Sequence, residues 1–154
     1  IRLSLVGSEM CIRDSFRTQV VGVALLDDAH HPTAFLAAQR AYPETLRGLW
    51  EFPGGKQEPE ESAEDALVRE CAEELSVRVE LLAEISGPHA QGWPLSEKAA
   101  MRVWTGTTAD TPVVGTDHLA VRWVPSSDPD AVLALPWIPA DLPIVRALLG
   151  QLAP

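Results

Sequence analysis

Apolar and polar positions alternate along this chain in a way that predicts several short strands and two helices. Residues 19–26 are an apolar run rich in valine, typical of a buried strand, and residues 34–40 are predicted to return beside it as a hairpin. Residues 61–75 are the clearest helix, because their apolar side chains recur at helical spacing and Ser62 stands at the start as an N-cap. The remaining predicted elements are a short extended piece at 50–52, strands at 77–85, 98–105 and 118–124, and a closing helix from 139 to about 152.

This order of elements predicts an α/β (α+β) fold, with a mixed sheet packed between helices. The 154 residues are enough for one domain with a core of its own. The first fifteen residues, IRLSLVGSEMCIRDS, lack an initiator Met and look foreign to the rest. We therefore predict a non-native or disordered leader at 1–15 and a single domain at 16–154.

The net charge of −10 disfavours a nucleic-acid partner, because duplex binding draws on clustered Lys and Arg. No apolar run approaches 18 residues, so no membrane partner is expected. The two cysteines cannot build a disulfide framework, and a reducing, cytoplasmic setting is the default. An acidic chain is an unusual host for a polyphosphate unless a divalent cation reverses the local charge. The composition leaves monomer and homodimer open.

Three glutamates, Glu70, Glu73 and Glu74, fall on one arc of the predicted helix, beside the small residues Ala63 and Ala66. Carboxylates this close repel one another, and Mg²⁺, which prefers oxygen ligands, would relieve the repulsion. The alanines are expected to leave room for a metal and a phosphate. A solvated acidic helix face is the alternative. The core face of the helix is predicted to consist of Leu67, Val68, Cys71 and Leu75.

The segment before this helix, Pro53-Gly54-Gly55-Lys56, is predicted to be a tight turn whose backbone can approach a ligand closely. From Gly55 onward the spacing is Gly55, five residues, Glu61, seven residues, Arg69-Glu70-Cys71, one residue, Glu73-Glu74, one residue, Ser76-Val77.

This spacing resembles the box of the Nudix hydrolase family, with six of its seven glycine and polar positions in place. Ser76 departs from the family's Gly, so modest strain is expected at the helix end, and Cys71 is a small choice for a bulky apolar position. Residues 38–40 and 48–56 look like the MutT branch, and residues 117–123 and 139–143 look like later landmarks of MutT-like and CTP pyrophosphohydrolase-like members. The resemblance runs from about residue 17 to 152 and implies a Nudix-type α/β/α sandwich.

The resemblance also implies roles. The Gly55 carbonyl, Glu70, Glu73 and Glu74 would bind Mg²⁺, with Mn²⁺ as a substitute. Arg69 would pair with Glu61 and orient the helix. Asp117 stands where the MutT branch has a loop Glu that binds metal or activates water, although a solvent-facing carboxylate is the alternative. His118, next to it, is expected to be an ordinary strand residue, and a group that supports the site from behind Asp117 is the alternative. The candidate phosphate contacts are Arg40 and Lys56, whose alternative is exposed surface charge.

Asp141 lies where MutT relatives read the base. As a carboxylate it would accept from the amino group of cytosine or the N–H edge of guanine, and if protonated by burial it could donate to an oxo group. A plain helix N-cap is the alternative. Glu51 and Phe52 are expected to line the same pocket, Phe52 by stacking.

The implied activity is a Mg²⁺-dependent nucleoside triphosphate pyrophosphohydrolase that acts on 8-oxo-dGTP or on CTP and dCTP, as nucleotide-pool sanitation. Another Nudix activity, on ADP-ribose or dinucleoside polyphosphates, and a non-catalytic nucleotide-binding module remain the alternatives.

Overall fold

A computed structural model describes residues 15–154, so the predicted leader lies outside the described residues apart from Ser15. The strands are β1 (Thr18–Leu25), β2 (Ala34–Arg40), β3 (Trp50–Glu51), β4 (Gly54–Lys56), β5 (Glu80–Ile85), β6 (Trp93–Pro94), β7 (Ala99–Thr107) and β8 (His118–Pro125). The α-helices are α1 (Ala63–Leu75), α2 (Pro129–Leu133) and α3 (Leu142–Leu152), and a 3-10 turn at Pro139–Asp141 leads into α3.

Two sheets form the middle of the molecule. The first has the order β4-β1-β7-β5, with β6 beside β7, and it is mixed because β1 and β7 run parallel while the other pairs are antiparallel. The second is antiparallel and has the order β3-β2-β8. The mixed sheet that the element order predicts is therefore confirmed.

The predicted hairpin between the first two strands is wrong. β2 pairs with β3 and β8 in the second sheet, and a single bridge, Leu26 to Phe35, links it to the end of β1. The carboxylate of Asp27 accepts from the backbone N–H groups of Thr33 and Ala34, at 2.8 and 3.1 Å. The loop between β1 and β2 therefore connects the first sheet to the second and does not close a hairpin within one sheet.

The two faces of β1 pack into separate hydrophobic clusters, as a strand with period-two alternation requires. Val21, Val23 and Leu25 pack into the same cluster as α1, and Ala24 packs into the cluster that contains α3. Helices therefore cover both sides of the sheets, which confirms the α/β/α sandwich.

The core face of α1 differs from the predicted one. Leu67, Cys71 and Leu75 are buried as expected, but Val68 is 38% exposed. Ala63 and Ala66 are buried instead, because their small side chains let the helix axis approach the sheet. The two alanines therefore belong to the packed core and do not flank an open space beside the carboxylates.

The predicted turn at residues 53–56 is wrong in part, because Gly54–Lys56 forms the short strand β4, paired antiparallel with β1. Its backbone comes so close to β1 that a Cβ atom at Gly54 would overlap the carbonyl oxygen of Val21. Helix α2 was not predicted, and Pro143 lies in the first turn of α3, where proline is tolerated.

Candidate active site

A cavity of about 490 Å³ is lined by residues of both sheets, of α1 and of the 3-10 turn before α3. Polar groups from β2, β3, β4 and β8 meet in its wall, and apolar side chains from β1 and β7 form the rest. The predicted site residues that line it are Arg40, Glu51, Phe52, Gly55, Lys56, Glu74, Asp117 and Asp141.

Gly55 and Glu70 pack against each other where β4 meets α1. A Cβ atom at position 55 would overlap the carboxyl carbon of Glu70. Only glycine therefore lets the Glu70 carboxylate lie directly on this backbone, which explains why a glycine begins the box.

Arg69 anchors the acidic groups of α1. Its guanidinium binds Glu61 through two hydrogen bonds of 3.1 and 2.7 Å, binds Glu70 at 2.9 Å, and donates to the Lys56 carbonyl at 3.1 Å. These contacts raise the pKa of Arg69, chiefly through Glu61 and Glu70, and lower the pKa of Glu61. The predicted Arg69–Glu61 pair thus exists and ties the helix to the preceding loop.

Glu74 is the acidic residue of α1 that reaches the cavity. Burial raises its pKa to about 7 against the opposing effect of His118, and the negative charges of Glu70, Asp117 and Glu51 add to the rise. Within residues 15–154 no group donates a hydrogen bond to its buried Oε2 atom. The Glu74 Oε2 atom therefore has no partner among these residues that would stabilise a negative charge on it.

The other two glutamates of the predicted metal site, Glu70 and Glu73, do not line the cavity. Glu70 is held by Arg69, and the Glu73 side chain is 60% exposed and 3.3 Å from Arg69. Across the described residues, no three His, Cys, Asp or Glu side chains are gathered closely enough to hold a metal ion. Arg69, rather than a shared centre, is what these carboxylates contact in this structure.

Asp117 does not simply face solvent. Its Oδ1 atom accepts a hydrogen bond of 2.7 Å from the hydroxyl of Tyr42, which follows β2, and this bond raises the pKa of Tyr42. Tyr42 is 54% exposed and lines the cavity beside Asp117. No sequence pattern had pointed to it, because its partner is 75 residues away.

Glu51 is held by two groups from neighbouring strands. Arg40 Nη1 lies 3.3 Å from its Oε1 atom, and Nε2 of His118 lies 3.1 Å from its Oε2 atom. Burial opposes a charge on His118, but the bond to Glu51 and the nearby carboxylates raise its pKa. The expectation that His118 is an ordinary strand residue is therefore corrected, since it belongs to the cavity wall.

Asp141 is 4% exposed and is not a helix N-cap by its side chain. Its Oδ2 atom accepts from the backbone N–H of Phe52 at 3.3 Å. Burial, together with the charge of Glu51, raises the pKa of Asp141 to about 7. A carboxyl that keeps its proton near neutral pH can donate a hydrogen bond as well as accept one.

Phe52 departs from its predicted stacking role. It is 3% exposed, and its ring packs against Phe35 and Trp137 at centroid distances of 6.1 and 5.9 Å. Phe52 therefore supplies a wall of the cavity and the backbone donor to Asp141, while its ring belongs to the core.

Comparison with known proteins identifies the family of this chain. The sequence profile of the NUDIX domain family matches residues 16–148. The chain is 36% identical over 124 residues to the CTP pyrophosphohydrolase of Escherichia coli, covering 75% of this chain and 82% of that protein. It is 47% identical over 49 residues to the 8-oxo-dGTP diphosphatase of Proteus vulgaris, covering 32% of this chain and 43% of that protein. The solution structure of the E. coli ORF135 protein superposes with a TM-score of 0.68 at 30% identity, covering 88% of this chain and 91% of that one.

The chain therefore belongs to the NUDIX domain family. Within it, the protein is a hydrolase of phosphoric anhydride bonds related to the MutT-like and CTP pyrophosphohydrolase-like branch. None of the helices in residues 15–154 is long and apolar enough to cross a membrane.

Proposed function

We propose that this protein is a Mg²⁺-dependent nucleoside triphosphate pyrophosphohydrolase of the MutT type. It would use water to convert 8-oxo-dGTP, or CTP and dCTP, to the nucleoside monophosphate and pyrophosphate. The observation that carries the proposal is a single cavity lined by Lys56 and Glu74 and also by the buried carboxyl group of Asp141. Lys56 and a cation held by Glu74 would bind the phosphates of a nucleotide, and the Asp141 carboxyl group would bind its base.

Two features fit a divalent cation. The buried Oε2 atom of Glu74 lacks a hydrogen-bond partner among the described residues, and the absence of a side chain at Gly55 lets the Glu70 carboxylate lie on the backbone that would supply the carbonyl ligand. The Gly55 carbonyl, Glu70, Glu73 and Glu74 would hold the ion, in line with the oxygen preference of Mg²⁺. When bound, the ion would make a water molecule more acidic and offset the charge that develops on the phosphates.

Side chains of this protein would position a metal ligand, the phosphates and the attacking water. Arg69 orients Glu70 against Gly55 through the contact at 2.9 Å. The exposed ammonium group of Lys56, beside Gly55, is free to approach a phosphate. Arg40 is less free, because its guanidinium already contacts Glu51 and the Tyr42 carbonyl. Asp117, held by Tyr42, would orient the attacking water through its second oxygen.

The deciding experiment is a panel of ordinary and oxidised nucleoside triphosphates assayed with Mg²⁺ and scored by kcat/KM. ADP-ribose and a dinucleoside tetraphosphate belong in the same panel. Release of pyrophosphate from a triphosphate as the best reaction supports the proposal. AMP and ribose phosphate from ADP-ribose as the best reaction would replace it with the second Nudix activity, and turnover of no nucleotide would point to a binding module.

A further inference from the structure

Three neighbouring strands of the second sheet each contribute one polar side chain to a single cluster. Their order is β3-β2-β8, and Arg40 and His118 are cross-strand partners in the β2–β8 ladder. Both reach Glu51 on β3, Arg40 at 3.3 Å and His118 at 3.1 Å. The two contacts fall on different oxygens of the same carboxylate, so its rotation is restricted from both sides.

His118 is the more buried member of the cluster. Its side chain is 4% exposed, against 29% for Arg40 and 15% for Glu51. A hydrogen bond between a buried ring nitrogen and a carboxylate keeps a fixed geometry, because neither partner can exchange it easily for water. His118 therefore holds Glu51 in place more firmly than a surface ion pair does.

Glu51 and Asp141 line the same cavity but are held differently. Glu51 has a cation on one oxygen and a ring nitrogen on the other, whereas among residues 15–154 Asp141 accepts only from the backbone N–H of Phe52. A carboxylate offers about four lone-pair positions, so Glu51 keeps acceptor capacity for a ligand after both contacts are made. Of the two carboxyl groups, Glu51 is therefore the one suited to accept a hydrogen bond from an amino or ring N–H group of a ligand.

We propose that His118 is a positioning residue for base recognition: through Nε2 it fixes the Glu51 carboxylate as the acceptor for the exocyclic amino group of cytosine or guanine. The inference rests on the proposed function in taking the ligand to be a nucleotide. It adds a residue that acts through Glu51 and a base class that presents an amino donor.

Two amide substitutions at His118 allow a matched test. Gln can place its amide nitrogen near the position of Nε2, whereas Asn can place its amide nitrogen only near the position of Nδ1. Dissociation constants of CMP, GMP and UMP would be measured by calorimetry in EDTA for the wild type, His118→Asn, His118→Gln, Glu51→Gln and the double variant His118→Asn/Glu51→Gln. We expect the wild type to bind CMP or GMP about tenfold more tightly than UMP, the size of one hydrogen bond to a charged group. His118→Asn should lose this ratio and His118→Gln should keep it to within about threefold.

In the Glu51→Gln background, His118→Asn should produce no further change. The inference would be overturned if His118→Asn kept the wild-type preference for CMP or GMP over UMP. It would also be overturned if His118→Asn reduced that preference by the same factor in the Glu51→Gln background as in the wild type. Should His118→Asn fail to fold, a folded His118→Gln that has lost the ratio would overturn it as well. A wild type that hydrolyses triphosphates but shows no amino preference refutes this inference alone. A wild type that hydrolyses none refutes the proposed function and leaves the binding ratio in EDTA as a separate result.

Discussion

Glu74 illustrates how one side chain can be tested apart from the fold. Replacing it with Gln removes a buried negative charge and keeps the shape, so we expect hydrolysis to fall at least about 100-fold while the melting temperature at pH 8 does not drop. Pyrophosphate release and thermal unfolding measure the two effects. Glu64→Gln, in the exposed first turn of the same helix, should leave both unchanged. Near-normal turnover in Glu74→Gln would refute the role given to Glu74.

Asp141 makes stability depend on pH in an unusual direction. Its pKa in the folded protein is about 7, above the ordinary 3.8, so the folded state keeps a proton that the unfolded state releases. The contribution of Asp141 to stability is therefore fully present below about pH 4, is lost as the pH rises to about 7 and does not change above that, with a loss of roughly 4 kcal/mol at most. Asp141→Asn should remove this loss and raise the melting temperature at pH 8 but not at pH 4.

The control for Asp141 is Asp130→Asn, a change at an exposed carboxylate in the first turn of α2, which should leave the pH profile of the wild type in place. Thermal unfolding followed at pH 4, 6 and 8 gives the comparison. If the Asp141→Asn variant kept the wild-type slope between pH 4 and 7, Asp141 would have to be ionised in the folded state.

Residues of the site differed in how far the sequence could place them. The roles of Gly55, Glu61 and Arg69 could be predicted through the resemblance to the Nudix box, because the spacing that carries it lies within one continuous segment of the chain. Tyr42 and His118 could not, because their partners Asp117 and Glu51 are 75 and 67 residues away. Such pairs depend on strand order, which periodicity does not specify.

The same limit applies to whole elements. Helix α1 was predicted to within two residues at its start and at the correct end, because its apolar spacing and its N-cap Ser62 are local signals. The position of β2 was also correct, but its sheet was wrong. An apolar strand shows that it is buried and not which strand it pairs with, so the hairpin was an inference from sequence order alone.

The C-terminal end of α1 carries a strain that can be removed. Ser76 caps the helix in the left-handed region at φ 57°, where an L residue is disfavoured and glycine is not. Ser76→Gly should therefore increase the free energy of unfolding by about 0.5–1 kcal/mol, measured by denaturant unfolding. Ser76→Ala, which keeps the Cβ atom, is the matched control and should not stabilise. Equal gains from both variants would show that the side chain, and not the backbone, is responsible.

Strand β4 offers a second pair of variants, because its two glycines are required for different reasons. A Cβ atom at Gly54 would meet the backbone of Val21, which cannot move without breaking the β1–β4 pairing, whereas one at Gly55 would meet the Glu70 carboxylate. Gly54→Ala should therefore lower the melting temperature markedly. Gly55→Ala should fold but lose activity about tenfold or more, because Glu70 is displaced. A Gly55→Ala protein with full activity would contradict the idea that Glu70 must lie on this backbone.

At the scale of the whole molecule, the net charge of −10 acts against a triphosphate ligand. Lys56, Arg40 and, when protonated, His118 are the cations that line the cavity. Arg40 and His118 are both paired with Glu51, so the wall that receives the phosphates carries little positive charge of its own. We expect a divalent cation to be required for binding a nucleoside triphosphate and to matter much less for the corresponding monophosphate, which has fewer charges to offset.

Calorimetric titration of a non-hydrolysable triphosphate and of its monophosphate, each with Mg²⁺ and with EDTA, measures the difference directly. The triphosphate should lose at least about tenfold in affinity in EDTA and the monophosphate less than about threefold, because repulsion grows with the number of phosphate charges. Raising the ionic strength in EDTA should recover part of the triphosphate affinity, since salt screens repulsion between exposed charges. Equal loss for both ligands would mean that the cation orders the site itself, and the acidic charge of the molecule would then have no part in ligand selection.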